Sequence, residues 1–139
     1  PISLAAAEVT LDVLSGRRGA VLARIRRNGE ALTDGIRRLA ENAKIPILVN
    51  GVGSAFHLSF TCRGEMQDYR DSLDCDMQAR DRFIEAMLEA GVYLLPDGRW
   101  YVSAAHSEAD IGLTLGAVRK SFAKLKEIGP MTGVKSADP

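Results

Sequence analysis

Five lysines, two histidines and two cysteines are the residues of this 139-residue chain best suited to act as nucleophiles, bases or ligands. Schiff-base catalysis needs a lysine held in a partly desolvated pocket, so that its amine can be neutral and attack a carbonyl. Lys44 ends a long helical pattern, Lys120, Lys124 and Lys126 fall in the last helix, and Lys135 lies in the tail. All five read as solvated charges, the usual role of a lysine near a helix C-terminus. His57 alternates with apolar residues on a strand and reads as exposed. His106 stands beside a helix start and reads as a brace for that junction. The two histidines are remote in sequence and share no frame that would hold a metal. Cys62 and Cys75 match no zinc spacing and are too few for a disulfide scaffold, so they read as reduced thiols of a cytoplasmic protein. Gly51 and Gly53 lack both the spacing and the following helix of a phosphate loop, and no G-x-S-x-G elbow occurs. The residues by themselves describe a domain with no catalytic, cofactor-binding or metal site of its own.

The elements follow from periodicity and punctuation. Pro1 to Leu14 reads as a helix with proline in its first turn, and Ser15-Gly16 as a break. A long helix is expected over Arg18 to Ala43, with Leu22, Ile25, Gly29, Leu32, Ile36, Leu39 and Ala43 on one face. Arg26/Glu30, Asp34/Arg38 and Arg37/Glu41 sit four apart, so this arginine-rich face reads as solvated and self-compensated rather than as a nucleic-acid stripe. Ile47 to Val49 reads as a short strand, and Phe56, Leu58 and Phe60 alternate with an outward-facing His57, Ser59 and Thr61. Arg63 to Cys75 is a polar loop. A helix over Asp76 to Ala90 stops at Gly91, Val92 to Leu95 and Trp100 to Ser103 read as strands, and Pro96-Asp97-Gly98 is the turn between them. Ser107 caps the last helix, whose stripe runs from Ile111 to Leu125 until Gly129-Pro130 ends it. The expected fold class is α+β, a small and mostly antiparallel sheet covered by helices.

Composition excludes other classes. Apolar residues make up 46% and charged residues 26% of the chain, with a formal net charge of zero. Such a molecule has no long-range attraction for nucleic acid or anionic lipid, and no run is apolar enough to span a membrane. The start at Pro1, inside a helical pattern, suggests a piece of a longer protein.

Four segments in order resemble the C-terminal part of glutamate-semialdehyde aminomutase and its class III aminotransferase relatives. Pro1-Ile2-Ser3-Leu4-Ala5-Ala6-Ala7 resembles the family's N-P-x-x-x-A-A helix start, and Val49 to Phe56 its V-N-x-V-G-S-M-F strand pair. Phe83 to Leu94 resembles F-x-x-x-L-x-x-x-G-V-Y-L, and Ser103 to Ile111 resembles S-x-A-H-T-x-x-D-I. The resemblance implies the C-terminal small domain of a fold type I enzyme dependent on pyridoxal 5'-phosphate (PLP). The cofactor lysine would lie in a large domain upstream of Pro1. It also implies a homodimeric parent acting on a small-molecule amino donor and acceptor. In those terms residues 1–14 are a connecting helix from the missing large domain, 15–130 the small domain and 131–139 a tail. The small domain would form one wall of the substrate cleft, and the 139 residues alone would hold no PLP and be inactive.

One departure bears on the reaction. Where the aminomutase carries a glutamate after G-V-Y-L, this chain has the shorter Leu95-Pro96-Asp97-Gly98-Arg99-Trp100-Tyr101. Arg99, beside Trp100 at the cleft, could grip a substrate carboxylate through two parallel hydrogen bonds, which favours an aminotransferase parent. An aminomutase parent, or a stand-alone interaction module of the same fold, are the alternatives.

Overall fold

The computed structural model describes residues 1–127, so the Gly129-Pro130 stop, the tail and Lys135 lie outside the described residues. Seven elements follow one another: α1 (Ile2–Ala43), β1 (Ile47–Val52), β2 (Ala55–Phe60), α2 (Tyr69–Ser72), α3 (Met77–Glu89), β3 (Arg99–Tyr101) and α4 (Glu108–Glu127). The three strands form one antiparallel sheet in the order β1-β2-β3. The expected α+β class holds. No helix among the described residues is long and apolar enough to cross a membrane.

α1 is a single run of 42 residues, about 63 Å long at 1.5 Å per residue. The break expected at Ser15-Gly16 is absent, because one glycine in a helix costs only about 1 kcal/mol and a regular backbone absorbs it. The disturbance lies further on. Arg18 and Gly19 both adopt the left-handed region, at φ 56° and 74°. Glycine tolerates this, but for an arginine it costs roughly 1–2 kcal/mol. The helix ends on a second such residue, Lys44 at φ 54°. The amides of Lys44 and Ile45 turn back to the carbonyls of Glu41 and Ala40, at 3.0 and 2.9 Å. This pairing satisfies two of the carbonyls a helix end leaves open.

Only the second half of α1 enters the core. Leu32, Ile36 and Ala40 pack with Leu58 and Phe60 of β2, Phe83 and Met87 of α3, and Val118 and Phe122 of α4. Phe83 stacks on Phe122 at 5.3 Å, and Phe60 meets Phe83 edge-on at 5.5 Å. Gly29 lets α1 approach the β1–β2 turn, since a Cβ there would collide with the Gly53 carbonyl. Leu22, placed by periodicity on the buried face, is instead half exposed, ahead of the stretch from Leu32 to Ala40 that enters the core.

Four further expectations need correction. Val92 to Leu95 forms no strand; β3 pairs with β2 instead, Trp100 opposite Phe56. Ser59 and Thr61 are buried rather than outward-facing, because the start of α3 covers that face and the Asp76 amide donates to the Phe60 carbonyl at 2.8 Å. The 63–75 loop contains α2, held by a reciprocal cap between Asp68 and Asp71. On α1, Asp34 pairs with Arg37 at 3.1 Å, three residues on, not with Arg38. The same guanidinium donates to the Val49 carbonyl at 3.1 Å, on the outer strand of the sheet.

Candidate ligand-binding site

The turn between the 92–95 run and β3 is fixed from three sides. Gly98 sits at φ 85° and its amide donates to the Leu95 carbonyl at 3.0 Å, closing the turn. The Leu58 amide of β2 donates to the Gly98 carbonyl at 3.3 Å. His57 Nε2 lies 2.7 Å from the Asp97 carbonyl, which can only accept, so this nitrogen carries the proton. A side chain at Gly98 would also crowd His57 Nε2 and the Leu58 carbonyl. His57, expected to be exposed, is therefore half buried and used to seat the turn.

The strand that leaves this turn alternates. Trp100 points inward, 4% exposed, and stacks on Phe56 at 5.3 Å. Its indole Nε1 is buried without a hydrogen-bond partner. Arg99 and Tyr101 point the other way and are exposed. Arg99 Nε and Nη2 both reach Asp97 Oδ2, at 2.7 and 2.6 Å, and the Arg99 amide donates to Asp97 Oδ1 at 3.2 Å. The guanidinium hydrogen bond holds the Asp97 carboxyl below its usual range, so the pair is charged throughout neutral pH.

The loop after β3 is clamped onto α1. Arg24 Nη2 donates to the Ala104 carbonyl at 2.7 Å, and the buried amide of Asn28 donates to the His106 carbonyl at 2.9 Å. His106 Nδ1 accepts the Ser103 amide at 2.9 Å, so the ring braces its own loop. The next residue starts α4: the Ser107 amide and hydroxyl both donate to Asp110 Oδ2 at 2.8 Å, and the Asp110 amide returns to Ser107 Oγ at 3.3 Å. The Ser107 amide bond holds the Asp110 carboxyl below its usual range.

Turn, strand, loop and α4 enclose a cavity of about 290 Å³, lined by residues that include Leu32, Leu95, Arg99, Trp100, His106 and Thr114. The two residues singled out from the sequence thus border one hollow, but in different ways. Arg99 stands at its rim with more than half of its side chain exposed; Trp100 belongs to the core and offers one surface. Arg99 is the one arginine or lysine of the lining, set against mostly apolar walls. Arg24 and Asn28, which position the loop, were hidden in the sequence as one arginine among many and one polar residue in a helix.

The described lysines face elsewhere. Lys44, Lys120, Lys124 and Lys126 are all exposed, and Lys124 pairs with Glu89 at 2.5 Å, which holds its ammonium above the usual range. None of them lines the cavity. Among the described residues no three of His, Cys, Asp and Glu come together as metal ligands.

No family model matches the chain. Solved structures do resemble it. The omega-transaminase from Sphaerobacter thermophilus superposes with a TM-score of 0.71 and 22% identity over 78% of this chain. The β-phenylalanine aminotransferase from Variovorax paradoxus gives 0.70 and 22% over the same share. The FumI protein of Sphingopyxis sp. MTA144, solved as its PLP internal aldimine, gives 0.66 and 21% over 84%. The chain spans 25–26% of the length of each of these three proteins. At such identities the likeness speaks for the fold: this chain folds as about one quarter of these transaminases does.

Proposed function

We propose that the chain is the C-terminal small domain of a PLP-dependent aminotransferase of class III, and that its Arg99-rimmed cavity forms one wall of the substrate cleft. The observation that carries this reading is the match to a quarter-length segment of several transaminases. The four motifs in family order support it independently. The parent would move an amino group from a small-molecule donor to a keto acid or aldehyde, as a cytoplasmic homodimer. The missing large domain would cover the exposed outer half of α1 and supply the cofactor lysine.

PLP chemistry requires an anchoring lysine whose amine is shielded from water. The described lysines of this chain do not fit that role, since each is exposed and none borders the cavity. The chain's own contribution is to bind and orient. Arg99 would take the substrate carboxylate, while Leu32, Leu95 and Trp100 exclude water from the body of the substrate. An aminomutase parent fits less well, because the turn presents an arginine where that enzyme's pattern has a glutamate.

The test compares the complete reading frame with the 139 residues. The full-length protein is expected to convert a keto acid in the presence of an amino donor, and the isolated chain to do nothing. The isolated chain mixed with equimolar PLP and then dialysed should retain no cofactor and show no internal-aldimine absorbance. A stoichiometric PLP aldimine that survives dialysis on one of Lys44, Lys120, Lys124 or Lys126, or a reading frame that holds no further domain, would overturn the reading.

A further inference from the structure

We propose that the groove between α1 and α4 is a separate ligand site, which takes the phosphate group of a small-molecule phosphate monoester between Arg38 and Arg119. The inference is independent of the reading of Arg99, because the groove shares no lining residue with the cavity at that arginine.

Three features lead here. First, the hollow is large, about 420 Å³, and its lining includes Arg38 and Asn42 of α1 and Arg119 of α4 but no acidic side chain. The two arginines reach it from its two walls. Sequence spacing pairs Arg38 with Asp34, but Asp34 is taken by Arg37. Among the described residues neither Arg38 nor Arg119 forms an ion pair. Two positive charges therefore border one groove on a chain whose formal net charge is zero.

Second, the floor is kept empty at the expense of the helix. Gly112 and Gly116 stand one turn apart inside α4, and a Cβ at either would meet nothing within 4 Å. Each weakens the helix relative to alanine, and neither is needed for a close approach. Gly35 differs: a Cβ there would lie 2.5 Å from Leu115 Cδ2, so this glycine seats the helix pair. What Gly112 and Gly116 provide is room.

Third, the donors select the acceptor. A guanidinium offers a planar fork of parallel N–H groups, and a carboxylate presents its two oxygens in one plane, which suits one fork. A phosphate monoester has three terminal acceptor oxygens and about two negative charges at neutral pH. It can accept a fork from each wall at once, with the Asn42 carboxamide as a further donor. The hollow is larger than a phosphate group, so the body of the ester lies along the glycine floor.

The experiment titrates the full chain with phenyl phosphate, and separately with benzoate and with inorganic phosphate, following the arginine Nε–H resonances by NMR. Phenyl phosphate is expected to shift Arg38 and Arg119 saturably and to bind more tightly than either of the others. Arg38→Gln and Arg119→Gln should each weaken it by about fivefold, the upper range for an exposed ion pair. Arg27→Gln, at an exposed position of α1 outside the groove, should leave it unchanged. Gly116→Leu should fill the floor and weaken phenyl phosphate while the thermal midpoint stays at or above that of the parent. The site is refuted if neither resonance shifts, if benzoate binds as tightly as phenyl phosphate, or if Arg27→Gln weakens binding as much as the groove variants do. Equal affinity for inorganic phosphate and phenyl phosphate, or a folded Gly116→Leu chain that binds as before, would remove the ester body from the groove and refute the monoester class.

Discussion

The outer half of α1 is the richer in apolar residues, yet only the inner half is buried. Ile2 and Leu4 are 87% and 76% exposed, while Ile36 and Leu32 are 0% and 3% exposed in the same helix. Periodicity says which residues share a face; it does not say whether anything lies against that face. α4 and the sheet lie against the second half, and among the described residues the apolar side chains of the first half are left exposed. The comparison extends to the backbone. Gly16, in the outer half, has open space around its missing side chain, whereas Gly29 in the inner half touches the Gly53 carbonyl.

The largest effect should come from cutting the core side of this contrast. Ile36→Ala is expected to destabilise the chain by about 2–5 kcal/mol, and Leu4→Ala to stay within about 0.5 kcal/mol of the parent. Guanidinium unfolding midpoints measure both; a comparable loss for Leu4→Ala would mean the outer half is packed in solution. A smaller effect of two signs should follow from the glycines. Gly29→Ala forces α1 away from the β1–β2 turn at a cost of about 1–3 kcal/mol. Gly16→Ala adds helix propensity in open space and should stabilise by up to about 1 kcal/mol. Thermal unfolding of the pair separates them, and shifts of the same sign would contradict the packing described here.

The smallest effect concerns helix starts. α1 begins at Pro1 with no side-chain cap, while α4 begins with the Ser107–Asp110 box. The Asp110 carboxyl titrates below its unfolded value of about 3.9, so its contribution is complete above that pH and fades as pH falls through the depressed value. Asp110→Asn should therefore lower the unfolding midpoint at pH 7 and lose most of that difference near pH 2. A deficit that persisted in acid would point to packing rather than charge.

Much of this molecule was legible in its sequence where local and tertiary preferences agree. Asp76 before α3 and Ser107 before α4 cap the helices they announce. Phe56, Leu58 and Phe60 alternate and are buried. The failures came where a partner decides. Val92 to Leu95 has strand composition, but β3 pairs with the central strand β2 rather than folding back on it, and the run joins neither outer edge of the sheet. Ser59 and Thr61 look outward by type, yet α3 covers them and their burial depends on contacts sixteen or more residues away in sequence. At the cavity, Arg99, singled out because its type departs from a family pattern, is one of the lining residues. His57, Arg24 and Asn28 were missed because each acts on a backbone carbonyl, and no residue type advertises that.

The Arg37–Val49 contact also bears on how molecules meet. β1 is an outer strand, and an outer strand with free carbonyls is a template on which a strand of another molecule can grow. Arg37 places a charged group on one of those acceptors from the neighbouring helix, so a second chain adding to that edge would first have to evict a guanidinium. One side chain thus serves as a guard against edge-to-edge polymerisation.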